Sequence, residues 1–413
     1  MTLGISLISQ TPTPQTAQPR EVVDTSSRPI VFQVRRTFEF DADGVSFSNQ
    51  FPGARLSSVV RTGTDAYTID IEPENAPINP SPWYAFRVWA KSQKEISVRL
   101  TYPESTRHRY DPQISNDGLT WRVLEKDRIT EEGKGTGTGP ESRPRSIIMR
   151  LKIGKDPIWV SAQELESSWL VFDWMERTAK KYKLRVSEIG KSKEGRPMKM
   201  LTIGKPDAKK MMMVISRQHP PEVTGYFAMQ SFVETIAGKS PLAREFRNDW
   251  AIYVVPLMNP DGVDQGHWRH NLGGIDLNRD WTTFNQPEDK LVSEFLKSRE
   301  RETGGKFYFG IDFHSTWNDI YYPMTRRNEG NSPGLVQDWL TNIQAALPGY
   351  TPTIQPQDQP TPAIVSRNYF LVSHRMEAIV FEIGDNTPRN IIKKKGRVGA
   401  EEIMKLLLAR VKK

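Results

Sequence analysis

The sequence predicts an α/β/α sandwich around a mixed, mostly parallel sheet, preceded by an antiparallel β-sandwich. Two observations carry this. Between Pro29 and about Val160, apolar and polar residues alternate in short runs broken by Asp, Asn, Gly and Pro. Beyond Ser161, amphipathic helical stretches alternate with nearly continuous apolar runs, the texture of a sheet covered on both faces. The 413 residues suffice for both units and a large core. The expected division is a flexible leader over 1–29, the β-sandwich over 30–160 and the layered unit over 161–413.

In the first unit "VFQVRRTFEF", "AYTIDIE", "YAFRVWA" and "EISVRLTY" read as strands, with "DADG", "NAPINPSP" and "SNDG" as turns. The run at 131–146 reads as a solvated loop before the last strands, "RSIIMRLKIG" and "DPIWVSA". In "WYAFRVWA" alternation puts Tyr84 and Phe86 on one face and Trp83 and Trp89 on the other. One of these faces is expected in the core, and exposed aromatics on the other would suit glycan or protein binding. The second unit opens with the helix "AQELESSWLVFDWMERTAKKY". The strands "KMLTIG" and "KKMMMVISRQ", a helix from Pro221, the strand "WAIYVVPLMNP" and a helix over Pro287 to Glu300 follow. The order then runs through the strand "KFYFGIDFH", a helix around Gly334 to Ala346, the strand "MEAIVFEI" and a terminal helix "AEEIMKLLLARVKK". Met211 to Met213 read as a buried strand, since neighbours in a strand face opposite sides.

Composition narrows the chemistry. The 57 Lys and Arg against 49 Asp and Glu give a net charge of +8, too diluted to mark a nucleic-acid protein, and no nucleic-acid motif occurs. No run approaches the roughly 20 apolar residues of a membrane span. With no Cys, disulfides, thiolate metal sites and cysteine nucleophiles are all excluded, so a metal must be held by His, Asp or Glu. The short apolar run Leu3 to Ile8 lacks a basic flank, which leaves the compartment open between cytoplasm and a bacterial envelope or exported location.

There are six His. His219 and Glu222 stand three apart at a strand-to-helix junction in "SRQHPPEVTGYF", and His314 ends the apolar strand "FGIDFHSTW". Ligands bind outside the carboxyl ends of strands in such sheets, so these three can converge as a two-His, one-carboxylate metal site with an open position. Of the others, His108 beside Arg107, Arg109 and Tyr110 is expected at the surface. His267 and His270 suit hydrogen bonding in a loop, and His374 a structural place.

On these residues, and on the block "NPDGVDQGHWRHNLGGIDLNRDW", the chain resembles the zinc metallocarboxypeptidases of the carboxypeptidase A-like family, more closely the cytosolic-carboxypeptidase-like branch with an N-terminal β-domain. The resemblance runs over nearly all of residues 30–400. It implies one Zn2+ held by His219, Glu222 and His314, and a catalytic Glu382 in "AIVFEIGDNTP". It further implies Arg269 polarising the scissile carbonyl, Asn278 and Arg279 clamping the substrate's terminal carboxylate, and Asp276 orienting the first His. The chemistry agrees: amide hydrolysis needs an activated water, oxyanion stabilisation and proton delivery to the amine, and a bidentate guanidinium suits a carboxylate better than Lys. Counting back from Glu382, the family's residue that selects the C-terminal side chain falls on Arg367, which implies an acidic preference. The family's substrate-binding tyrosine has Tyr369 as its nearest counterpart, further from Glu382 than the pattern expects, and Thr316-Trp317 follows the third ligand in place of a Tyr.

The expected partner is a peptide or protein C-terminus, acidic by preference. A second reading is a zinc amidase acting on isopeptide or D-residue bonds of cell-wall peptide, or on N-acyl amino acids. A third is a peptide- or glycan-binding protein without hydrolysis, against which stands the completeness of the ligand, clamp and base set.

Overall fold

The computed structural model describes residues 23–76, 79–136 and 140–411. Most of the expected leader, residues 1–22, lies outside the described residues. Its remainder runs extended across the second unit: Thr25 is buried and bonds Thr283 Oγ1 at 2.5 Å, and Arg28 N donates to Gly273 O at 2.7 Å.

The first unit is two sheets face to face. One is six-stranded, in the order Thr37–Phe40, Val45–Ser48, Ala85–Ala90, Ile158–Ser161, Gln113–Ser115, Arg122–Val123, and every pair is antiparallel. The other is five-stranded: Ser58–Gly63, Ala66–Asp70, Lys94–Thr101, Ser146–Ile153, Ile129–Glu132. Here Ala66–Asp70 runs parallel to Lys94–Thr101, a departure from the purely antiparallel expectation. Alternation is honoured where it matters: Phe86 and Val88 enter the inter-sheet core while Arg87 and Trp89 face outward. Trp83 is buried, its Nε1 donating to Gly53 O at 2.7 Å, so the aromatic face suited to glycan binding is not formed. The stretch 131–146 is not one solvated loop either. Its first two residues extend a strand, and Pro140 and Glu141 line the cleft described below.

The second unit is built on an eight-stranded mixed sheet in the order Arg185–Lys191, Pro197–Gly204, Trp250–Val255, Lys210–Ser216, Lys306–Thr316, Glu377–Gly384, Ile320–Pro323, Thr353–Ile354. Its four central strands are mutually parallel. Met212 and Val214 pack with the helices Ser168–Tyr182, Val223–Ala237, Leu335–Ala346 and Arg389–Arg410 on one face. Met211, Met213 and Ile215 pack with Pro287–Thr303 and Ser366–His374 on the other. The terminal helix begins at Arg389, about three turns before the expected Ala400, because Ile392 and Val398 also belong to the core stripe. No helix among the described residues is long and apolar enough to cross a membrane.

The parallel strands deliver their carboxyl ends to one edge. His219 follows Ser216 by three residues, and His314 stands in register with Glu382 on the adjacent strand. Gly225 is what allows the helix after Glu222 to lie against this edge: a Cβ there would sit 2.3 Å from His314 O.

Candidate active site

Three side chains from two elements meet. His219 Nδ1 lies 2.7 Å from Glu222 Oε1, His314 Nδ1 lies 2.7 Å from Glu222 Oε2, and the two imidazole Nδ1 atoms are 3.2 Å apart. All three residues are buried, and they form the one cluster of candidate metal ligands among the described residues. Each imidazole is anchored by its far nitrogen: His219 Nε2 meets Asp276 Oδ1 at 2.8 Å and His314 Nε2 meets Asp312 Oδ2 at 2.7 Å. A carboxylate on Nε2 keeps the proton there and turns the Nδ1 lone pair inward.

The donor set fits a divalent metal. Glu222 Oε2 is buried and accepts no aligned hydrogen bond although His314 Nδ1 is 2.7 Å away, as expected of two ligands turned toward a third body. Electrostatics make the same demand for positive charge. Burial opposes protonation of His314, yet Asp312 and Glu222 together hold its pKa well above the ordinary value. Burial would likewise raise Glu222, and the two imidazoles hold it far below the carboxylate range. Two imidazoles and a carboxylate match zinc, which accepts N and O ligands.

Asp276 connects three expected functions. Its Oδ1 orients His219 and caps the short turn Leu277–Arg279 by accepting from Asn278 N at 2.9 Å, while its Oδ2 accepts from Arg269 Nε at 2.7 Å. Burial works against its ionisation, and Arg269, His219 and Arg279 outweigh burial to keep it well below the usual range. Asn278 Oδ1 accepts from Ser366 N at 3.0 Å, which leaves its NH2 for a ligand. Arg279 Nη1 donates to Asn278 O at 2.7 Å.

His219, Glu222, Arg269, Asn278 and Arg279 share a cavity of about 700 Å3 with Glu382 and Arg367. Glu382 Oε2 has no hydrogen-bond partner. Burial pushes this carboxyl up to about 8, with the Glu222 charge adding to the rise and His314, Arg109 and Arg269 opposing it. Arg367 is buried in the wall, its Nε donating to Asn368 Oδ1 at 3.1 Å and its Nη1 to Tyr322 O at 3.3 Å. Tyr369 is a correction. It lies on the same helix, Ser366–His374, but two residues on, about 200° around it. Its hydroxyl meets Ser293 Oγ at 2.7 Å and His374 Nε2 at 3.1 Å, its ring packs on Trp281 and Phe284, and it does not line the cavity.

Sequence reasoning missed several contributors. Asp312 was legible in principle, two residues before His314 and hence on the same strand face. Gln218 Nε2 and Ser366 Oγ both donate to Asp312 Oδ2 at 2.5 Å, and Trp281 Nε1 steadies Gln218 Oε1 at 2.9 Å. The first unit supplies the rest. Glu74, wholly buried, accepts from the backbone N–H of Trp268, Arg269 and His270 at 2.7, 3.0 and 2.8 Å and meets His270 Nδ1 at 2.8 Å. Burial alone would raise Glu74, but His267, His270 and Arg55 hold it below the carboxylate range. Trp268 sits in the core of the first unit with its Nε1 on Trp83 O at 3.0 Å. His108 is buried rather than superficial, its Nδ1 on Tyr102 Oη at 2.8 Å, because the loop that carries it is tucked under the cleft. Next to it, Arg107 and Arg109 line the same cavity.

The sequence profile of the zinc carboxypeptidase family matches residues 171–353, which include both His ligands, Glu222, Asp276, Asn278 and Arg279. Among curated proteins, cytosolic carboxypeptidase 2 of Xenopus tropicalis is 38% identical over 334 residues, covering 69% of this chain and 33% of that protein. An uncharacterised protein of Zymomonas mobilis is 25% identical over 270 residues, 64% of this chain and 66% of that one. The chain thus spans less than two thirds of these relatives' length. In fold, a metallo-carboxypeptidase from Burkholderia cenocepacia matches with a TM-score of 0.70 at 20% identity, over 89% of this chain and 98% of that one. The match to the zinc carboxypeptidase family profile over residues 171–353 thus runs through a triad that closes in space.

Proposed function

We propose that the protein is a zinc-dependent carboxypeptidase that releases a C-terminal residue, with preference for Glu or Asp, and that it stands nearest the cytosolic-carboxypeptidase-like branch. The observation that carries the acidic preference is Arg367, buried in the wall of a cavity that Arg107 and Arg279 also line. The likeness to the Xenopus cytosolic carboxypeptidase 2 supports the branch.

Zinc held by His219, Glu222 and His314 would supply a Lewis acid and an acidified water. Glu382, with an unpartnered oxygen at the cavity, takes the water's proton and returns it to the departing amine. Arg269, fixed by Asp276 through Nε, turns its remaining N–H groups to the oxygen on which negative charge develops. The NH2 of Asn278 and the guanidinium of Arg279 hold the terminal carboxylate, and Arg367 pairs with an acidic side chain. Asp276 and Asp312 keep both imidazoles turned inward.

The test is mass spectrometry of a peptide library, varied at its C-terminal residue and including γ-Glu and D-linked bonds, after incubation with zinc-loaded protein. Stepwise loss of C-terminal Glu or Asp is the expected result. Cleavage only at isopeptide or D-linked bonds would replace this reading with the amidase one, and no cleavage with zinc bound would replace it with a binding role.

A further inference from the structure

Arg109 belongs to the first unit, yet two of its three guanidinium nitrogens are engaged by the second. Its Nε donates to Asp385 Oδ2 at 2.7 Å and its Nη2 to Asp385 Oδ1 at 3.2 Å, a two-pronged grip on one carboxylate. Nη2 also donates to Ser315 O at 3.2 Å, and Nη1 to Ser81 Oγ at 2.9 Å. Arg109 and Asp385 are 6% and 3% exposed, so the pair is shielded from solvent. The rings of Tyr110 and Trp317 lie about the guanidinium at 5.1 and 5.0 Å.

The two residues gripped are not incidental. Ser315 directly follows His314, and Asp385 follows the strand that carries Glu382 by one position. Asp385 N donates to Thr316 O at 2.8 Å, so the two strand ends are already stitched together beneath the grip. Gln163 Nε2, from the segment joining the units, adds a bond to Asp385 O at 3.2 Å. A planar fork can bind a carboxylate and a carbonyl at once in a fixed plane, which an ammonium cannot. Angular precision at the reacting groups is where such rigidity counts, since misplacement by about 1 Å can cost about 100-fold in rate.

We propose that Arg109 is a positioning residue of the catalytic site, through which the N-terminal β-unit fixes the ends of the strands bearing His314 and Glu382. The inference rests on the carboxypeptidase reading above. It gives the β-unit a share in the chemistry beyond walling the cleft.

The experiment uses the full chain and the variant Arg109→Lys, which keeps the charge and loses the fork. Steady-state rates on a peptide that the unsubstituted protein cleaves are read beside zinc affinity from chelator competition, circular dichroism, and the visible spectrum of the cobalt-substituted site. The expected result is a folded variant with kcat lower by about 10- to 100-fold, KM and zinc affinity within about threefold, and a shifted cobalt spectrum. A kcat within about twofold with an unchanged cobalt spectrum overturns the proposal, as does a loss of rate that merely follows zinc occupancy or folded fraction. Should Arg109→Lys fail to fold, Asp385→Asn, which removes the charge partner at nearly constant size, is read by the same criteria. If the unsubstituted protein cleaves no peptide, the carboxypeptidase reading fails. The proposal is then decided by the cobalt spectrum alone, with a shift supporting it and identity overturning it.

Discussion

His219 and Glu222 stand three residues apart at one strand-to-helix junction, and Asp312 reaches His314 from two residues up the same strand. Around the same site, Arg109 and Asp385 meet across 276 residues of sequence, and Glu74 reaches Trp268 across 194. The first set of contacts is made by local periodicity and the second by docking two units. Substitutions on the first should therefore remove chemistry from a sound fold, and on the second should mix lost precision with lost stability.

The largest effect is expected at Glu382. Glu382→Gln keeps the size of the side chain and removes the proton acceptor, so kcat should fall by about 100- to 10,000-fold while bound zinc, measured by elemental analysis, stays near one per chain. Activity within tenfold of the unsubstituted protein would remove Glu382 from the base role. Next is Arg367→Ala. A charge-assisted pair contributes about 1.5–3 kcal/mol, so kcat/KM for a C-terminal Glu should fall about 10- to 100-fold while a C-terminal Ala peptide changes little. An unmoved Glu-to-Ala ratio would show that another arginine of the cavity selects the side chain.

How far the sequence could be read follows the same division. The core strands were legible as nearly continuous apolar runs and the triad as a spacing of three beside a strand end, whereas Asp276, Asn278 and Arg279 were singled out only by the resemblance of one contiguous block. Tyr369 was misplaced because a linear count takes no account of the helix Ser366–His374, which turns residues two apart to opposite sides. His108 was assigned to the surface because its neighbours Arg107 and Arg109 look solvated, whereas Arg109 is neutralised by Asp385 from the other unit. Glu74 carries no local signal at all: it sits in a turn of the first unit, and only the docked Trp268-Arg269-His270 backbone gives it meaning.

Glu74→Gln sharpens the contrast. Both carboxylate oxygens accept from backbone N–H groups, so either orientation of the new amide sets an NH2 against a donor in a buried place. Stability should drop by about 1–3 kcal/mol, read as a lower urea midpoint. Through the displaced Arg269, kcat should fall further than KM rises in protein that remains folded. A pure stability loss, with kcat unchanged per folded molecule, would make Glu74 a docking residue only.

The smallest effect is expected on the far side of the Arg367 helix. Tyr369→Phe removes a hydroxyl shared with Ser293 and His374 but leaves the ring between Trp281 and Phe284. The lost bonds are worth about 0.5–1.5 kcal/mol, measurable as a small shift of the urea midpoint at constant slope. Because that hydroxyl faces the helix Pro287–Thr303 and not the cleft, kcat/KM on the acidic peptide should stay within about twofold. A tenfold loss in KM alone would mean that Tyr369 turns toward substrate when substrate is present. The helix would then be a moving part of the cleft, and the rigidity assigned to the Arg109 contacts would not extend to the Arg367 side.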